Sequence, residues 1–256
     1  MNYAERVAAN EFDPWYQEHI ARYHYLENFE LGECVLDIAC GNGVGSDLIA
    51  KNVERVFGID QDVSTIENNR KFFSEISNLV FKVDNAERLD IDSSVFSAVV
   101  SFETIEHLTH PENFLQEIRR VLKPGGLFIL STPNARVTNP INGIPSNPFH
   151  IKEYTPTELN VLLSKFFKIM SIQGQSVSAE YPINYFWNPS PARFISPKFY
   201  IWFVLHRLFN LRPMLASKLA KLIFKCGLYP DFTKWVFSED TILVSHDLFI
   251  VCKNVL

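Results

Sequence analysis

Short apolar runs alternate with amphipathic stretches along most of the chain. The run "CVLDIA" (34–39) has the unbroken apolar, β-branched character of a strand buried on both faces, and a glycine-rich turn and a helix to about Lys51 follow it. The same unit recurs. "ERVFGID" (54–60) predicts a second strand with a helix through "STIENNRKFFSEI"; "NLVFKVD" (78–84) predicts a third strand and "FSAVVSF" (96–102) a fourth. "PENFLQEIRRVL" predicts a helix with Pro111 at its first position and "KPGG" as its stop, ahead of a fifth strand, "LFILSTP" (127–133). A Pro- and Asn-rich loop (133–149), a helix near "TPTELNVLLSKF", a strand near "FKIMSIQG" and a last strand, "HDLFIVCKN" (246–254), complete the series. Alternating β and α units of this kind predict an α/β fold with a mostly parallel sheet covered on both faces. The first 30 residues, rich in Tyr, Trp and His, predict a helical segment ahead of it.

The turn after the first strand, "VLDIACGNGVGS", carries Gly41, Gly43 and Gly45 between a strand and a helix. Glycine there lets the backbone turn tightly and approach a ligand closely. Three glycines alone are a weak signal, but Asp37 lies at the strand end and Asp60 closes the second strand. An acid at the end of strand two is placed to accept hydrogen bonds from ribose hydroxyls. A dinucleotide dehydrogenase is the competing reading, but its G-x-G-x-x-G spacing puts the third glycine one residue later.

With "GID", the "VDNAE" after strand three and "RVLKPGGLFILSTPN", the segment 34–133 resembles the class I S-adenosylmethionine-dependent methyltransferases. The resemblance covers roughly residues 30–175 and the final strand. It implies a Rossmann-like, seven-stranded, mostly parallel sheet with an antiparallel last strand, and a cofactor over the carboxyl ends of the early strands. It also implies that Asp37, Gly41 and Gly43 face the methionine half of S-adenosylmethionine, and that Asp60 holds the ribose. Asp84, Asn85 and Ala86 would bracket the adenine, with Ala39, Gln61 and Phe102 completing the cofactor set.

In that frame "SFETIEHL" (101–108) leaves strand four facing the transferable methyl group. Glu103, Glu106 and His107 stand at i, i+3 and i+4, so one helical turn would bring them to one side. This E-x-x-E-H group resembles the ubiquinone-pathway O-methyltransferases and the small-RNA 2′-O-methyltransferases, which implies a divalent cation. His150, in the loop after strand five, is the candidate fourth ligand. Two carboxylates and two imidazoles favour Mn, Fe, Co or Zn over Mg. The alternative keeps His107 as a general base, with the glutamates capping a helix. His110 and Glu153 are read as outer-shell or solvated groups.

Composition adds two points. Hydrophobic residues make up 47% and charged residues 21% of 256, as in a globular protein. The four cysteines (Cys34, Cys40, Cys226, Cys252) form no C-x-x-C pair, and the start shows no basic segment followed by an apolar run. Both features predict a cytoplasmic protein with reduced thiols. The net charge of −5 is unevenly placed: Tyr181–Val236 carries eight Lys or Arg and one acid, and the rest carries 16 basic and 28 acidic residues. We read the chain as a single methyltransferase domain (1–256) with a basic, aromatic helical insertion at about 180–240. In that insertion Leu215, Leu219, Leu222, Ile223 and Cys226 fall on one helical face, with Lys218, Lys221 and Lys225 on its flank. Such a helix could pack on the protein's own body as a substrate lid, pair with a second copy, or lie peripherally on an anionic membrane. The expected acceptor is a small polar molecule of bacterial capsule or lipopolysaccharide assembly: a sugar, a nucleotide sugar or a phosphate-bearing precursor. A quinone precursor and RNA are the alternatives, and a cofactor-binding protein without catalysis is a third. An acidic body disfavours nucleic acid.

Overall fold

Alternate residues of the central strands go to two different apolar clusters, which is how the pattern above becomes layers. Leu36, Ile38, Val99, Phe128, Leu130, Leu248 and Ile250 belong to one cluster; Val35, Val56, Ala98, Val100, Ile129, Phe249 and Val251 belong to the other. Successive side chains of a strand point to opposite faces, so a sheet sorted in this way has a core on each side. The computed structural model describes residues 14–183 and 194–255. Within Tyr23–Gln175 and Phe237–Leu256, which form one compact unit, the strands are β1 (Cys34–Ile38), β2 (Arg55–Asp60), β3 (Leu79–Val83), β4 (Phe96–Phe102), β5 (Leu122–Pro133), β6 (Lys168–Val177) and β8 (Asp247–Lys253), with β7 (Trp235–Ser238) crossing its edge. The sheet order is β3-β2-β1-β4-β5-β8-β6-β7. Strands β1 to β5 pair in parallel, and β8 runs antiparallel between β5 and β6.

The expected architecture is therefore present, with one strand more than the seven implied. The extra one is β7, four residues long and inside the anticipated insertion. A strand that short offers too few alternating positions to stand out in sequence. Strand β5 also begins earlier than its apolar run, at Leu122, directly after α4 (Pro111–Val121).

Helix α4 and α6 (Pro156–Leu163) cover one face of the sheet with Phe114, Leu115, Ile118, Leu159 and Leu163, all fully buried. Each such side chain contributes on the order of 1.5–3 kcal/mol. Helices α2 (Val44–Ala50) and α3 (Val63–Phe72) cover the other through Ile49, Ala50 and Ile66. The starts are encoded locally. Asp62 caps α3 by accepting from the Thr65 amide at 2.9 Å, and Thr155 with Glu158 forms a reciprocal capping box ahead of Pro156 on α6. A four-residue helix, α5 (Ala135–Thr138), follows β5.

Ser176–Val236, with the described residues up to Arg22, forms a second compact unit. It holds most of α1 (Pro14–Tyr25) together with α7 (Pro197–Phe209) and α8 (Pro213–Phe224). Its own core contains Trp202, Leu205, Ala216, Ala220 and Trp235. Of the apolar residues read on α8, Leu215, Leu222 and Ile223 are exposed, whereas Leu219 packs on the unit's core and Ala216 and Ala220 are fully buried. Small residues at i and i+4 let two helices approach closely, so the alanines line the seam with α7. The helix expected over the first 30 residues falls partly outside the described residues.

Candidate active site

The carboxyl ends of β1, β2 and β3 lie side by side, and the turns that leave them line a cleft. Its walls are Ile38, Ala39, Ile59, Asp60, Gln61, Asp84, Asn85, Ala86, Glu87, Thr104 and Leu108. At its edge the glycine turn is held open by backbone geometry. Gly43 has φ 77°, and a Cβ there would come within 2.7 Å of the Phe81 ring. Gly45 lies against Tyr23 so closely that a Cβ would sit 2.0 Å from the ring. Only glycine fits both positions.

Asp60 is tied to this turn. Its Oδ2 accepts from the Gly41 amide at 3.2 Å and its Oδ1 from the Asp62 amide at 2.9 Å. A carboxylate fixed by two amides keeps lone pairs for ligand hydroxyls. Asp84 is anchored by the Asn85 amide at 2.9 Å and lies 3.3 Å from the Lys82 ammonium. Six expected cofactor residues, Ala39, Asp60, Gln61, Asp84, Asn85 and Ala86, thus line one cleft. Ile38, Ile59, Glu87, Thr104 and Leu108 join them without having been singled out; an apolar strand end carries no chemical signature.

Two expected residues are placed elsewhere. Asp37 is fully buried and accepts from Ser46 Oγ at 2.6 Å and Tyr23 Oη at 3.3 Å. Burial, with a smaller contribution from Asp60, raises its pKa to about 7 against the opposing hydrogen bonds. Its carboxylate braces the turn from behind and does not line the cleft. Phe102 packs edge-on against Tyr23, ring centroids 4.9 Å apart, in the core behind the sheet. Successive strand residues point to opposite faces, so the last residue of β4 could not be assigned from sequence alone.

Past β4 the chain does not form the helical turn that would align all three ligand-type residues. Glu103 has φ 51°, and only Ile105–His107 form a 3-10 turn. The structure brings together Glu106, His107 and His150, each offering one ligand atom, all within 4.8 Å of one another. Glu103 is not among them; its Oε1 accepts from Ser131 Oγ on β5 at 2.6 Å. The left-handed residue breaks the i, i+3, i+4 relation on which the sequence reading relied.

The loop that supplies His150 is stitched to the turn. His107 Nδ1 is 3.0 Å from the Phe149 carbonyl, and the amides of Ile151 and Lys152 donate to the Glu106 carbonyl at 2.8 and 3.1 Å. A carbonyl can only accept, so Nδ1 of His107 carries its proton and Nε2 presents a lone pair. That Nε2 lies 3.8 Å from Glu106 Oε1. His150 Nδ1 lies 2.7 Å from Glu153 Oε1, and Glu153 also accepts from Thr138. A carboxylate behind an imidazole is the usual outer partner of a metal-ligating histidine. His150 Nε2 is met by the Asn147 side-chain amide at 2.9 Å, which a cation would displace.

Glu106 decides whether a cation fits. It is fully buried; Oε2 accepts from Thr132 Oγ1 at 2.9 Å, and Oε1 has no hydrogen-bond partner among the described residues. Burial and the nearby Glu103 charge hold its carboxyl well above the usual range. A buried acceptor without a donor costs on the order of 1–3 kcal/mol. An ion shared with the two imidazoles would remove that cost, so the residues present fit one. His110 stands apart: its amide donates to Glu87 Oε1 at 2.7 Å at the start of α4.

A family model described as "Methyltransferase domain" matches residues 36–130, which span the glycine turn, Asp60, Asp84 and the Glu106 turn. Over these residues the chain is similar to the S-adenosylmethionine-dependent methyltransferases. A Mycolicibacterium smegmatis protein named "Probable S-adenosylmethionine-dependent methyltransferase/" is 37% identical over 149 residues, which are 58% of this chain and 57% of that protein. The mouse mitochondrial ubiquinone biosynthesis O-methyltransferase is 32% identical over 108 residues, covering 40% of this chain and 29% of that protein. The chain thus spans little more than half the length of the mycobacterial relative, and less of the mouse enzyme. Among solved structures, the [4+2]-cyclase SpnF superposes with a TM-score of 0.61 at 18% identity, covering 96% of this chain and 85% of that one. That likeness shows the fold alone, because one fold hosts many reactions.

Proposed function

We propose that this chain transfers the methyl group of S-adenosylmethionine to an oxygen of a small polar acceptor, with a divalent cation held by Glu106, His107 and His150. The observation that carries the reading is the buried Glu106 Oε1, without a hydrogen-bond donor among the described residues and 3.8 Å from His107 Nε2. One carboxylate and two imidazoles suit Mn, Fe, Co or Zn better than Mg, which prefers oxygen and water.

The residues divide the work. Asp60 binds the cofactor's ribose hydroxyls, while Asp84, Asn85 and Ala86 flank the base. The cofactor, when bound, supplies a sulfonium methyl group that needs only an in-line nucleophile. The cation, when bound, supplies charge that lowers the pKa of an acceptor hydroxyl and fixes its position. Thr132 holds Glu106, and Glu153 holds the tautomer and direction of His150. Thr104 and Leu108 bracket the Ile105–His107 turn and also line the cleft, so cofactor and acceptor positions share one short segment. Positioning and charge stabilisation then provide most of the rate.

The acceptor reading remains a sugar, nucleotide sugar or phosphate-bearing precursor of bacterial capsule or lipopolysaccharide assembly, since a held cation suits vicinal hydroxyls and phosphoryl oxygens. A quinone precursor is the second reading, favoured by the similarity to proteins named as ubiquinone biosynthesis O-methyltransferases. The test is release of S-adenosylhomocysteine with sugar, nucleotide-sugar, phosphate and catechol acceptors, before and after chelation. Turnover should disappear with chelator and return with Mn²⁺. Chelator-resistant turnover would remove the cation from the mechanism. Cofactor binding without turnover on any oxygen acceptor would leave a binding protein.

A further inference from the structure

The α7–α8 hairpin buries one side of each helix and leaves the other bare. Trp202 and Leu205 of α7 pack with Ala216 and Ala220 of α8 in the second unit's core. On the opposite face of α7, Tyr200, Phe203, Val204 and Arg207 stand at i, i+3, i+4 and i+7, and all are exposed. On α8 the exposed face carries Met214, Leu215, Lys218, Lys221, Leu222 and Lys225. At the turn between the helices Leu211 is 82% exposed beside Arg212, and Leu222 is 77% exposed. Among the described residues, eleven of the 25 large exposed hydrophobic side chains lie between Phe194 and Ile223, which makes a patch and not a scatter.

Charge and length together indicate what covers the patch. Residues 197–225 contain six Lys or Arg and no Asp or Glu. The cations are interleaved with the apolar side chains: Leu222 stands among Lys218, Lys221 and Lys225 on one face of α8. The cores of protein–protein interfaces are depleted of lysine, because an ammonium is costly to desolvate there. A lipid surface tolerates the mixture. Lysine and arginine stems lie along apolar surface while their heads reach the phosphates. The helices are 13 and 12 residues long, and no helix among the described residues is long and apolar enough to cross a membrane. The hairpin can lie on a bilayer but not span it.

We propose that the exposed face of the α7–α8 hairpin docks on an anionic lipid bilayer, with Leu211 and Leu222 entering the acyl boundary and the surrounding cations at the headgroups. This does not depend on which acceptor the methyltransferase domain uses.

The test is co-sedimentation of the whole chain with vesicles of phosphatidylglycerol and phosphatidylcholine, against phosphatidylcholine alone. Variants K218Q/K221Q and L211S/L222S change only exposed positions, and retained S-adenosylmethionine binding checks that they fold. The protein should sediment with the anionic vesicles only, and salt should release it. Each lysine removed should lower vesicle affinity about fivefold, and the leucine pair should weaken it further. Absence of sedimentation at low salt, or sedimentation that neither variant changes, would overturn the proposal. A dimer in sedimentation velocity that L211S/L222S dissociates, without vesicle binding, would assign the face to a second copy and also overturn it.

Discussion

The cleft at the ends of β1, β2 and β3 and the Glu106–His107–His150 cluster share the stretch between Thr104 and Leu108 but are built on different principles. The cleft collects residues from the carboxyl ends of adjacent parallel strands, where the register of the sheet brings Ile38 beside Ile59. Each contribution is local, a strand followed by its own turn. The cluster joins a three-residue turn to a loop 43 residues further on, through hydrogen bonds from His107 to Phe149 and from Ile151 and Lys152 to Glu106. A site made by the sheet comes with the fold, whereas a site closed by a loop depends on what holds the loop. Under the proposed function, that separation makes cofactor binding and cation binding independently removable.

Two substitutions sharpen the contrast, the larger effect first. Asp37 lies in the cofactor motif, yet its buried carboxylate braces the turn, and burial raises its pKa from 3.8 to about 7. The folded state then holds this proton more tightly than the unfolded chain does. The stability contributed is complete below the unfolded pKa, about 4, and is lost as pH rises through about 7. Asp37→Asn should therefore gain on the order of 2–4 kcal/mol over the wild type between about pH 4 and pH 8, with cofactor affinity near unchanged. Denaturant unfolding at both pH values measures it. Parallel pH slopes would contradict the buried-acid account, and a collapse of cofactor affinity would return Asp37 to the ligand site.

Asp60→Ala should do the opposite, weakening S-adenosylmethionine binding by roughly 1.5–3 kcal/mol through loss of a charged hydrogen-bond acceptor. Mn²⁺ binding should be retained, because Asp60 is not among the clustered residues. Calorimetry of both ligands on this variant checks the separation, and unchanged cofactor affinity would place the ribose elsewhere.

The same contrast explains what sequence could reveal. The alternating β and α units, the glycine turn and the acids closing β2 and β3 were legible because each signal lies within a few residues. The inward or outward direction of Asp37 and Phe102 was not, since one residue of register changes which face a strand side chain takes. His150 was legible as a ligand type in the right loop, but the backbone bonds that dock that loop leave no residue-type signal. Glu103 was misplaced because a regular helical turn was assumed where the backbone takes a left-handed residue at φ 51°.

The most direct test of the central claim is a calorimetric titration of Mn²⁺ into metal-free protein, for the wild type and for His150→Ala. His150 is the decisive position because no helix-cap role links it to His107 across the intervening chain. The account predicts a single site in the wild type that is lost in His150→Ala, with equal S-adenosylmethionine affinity in the two proteins. A wild type that binds no Mn²⁺, or a His150→Ala variant that binds it equally well, would contradict the account.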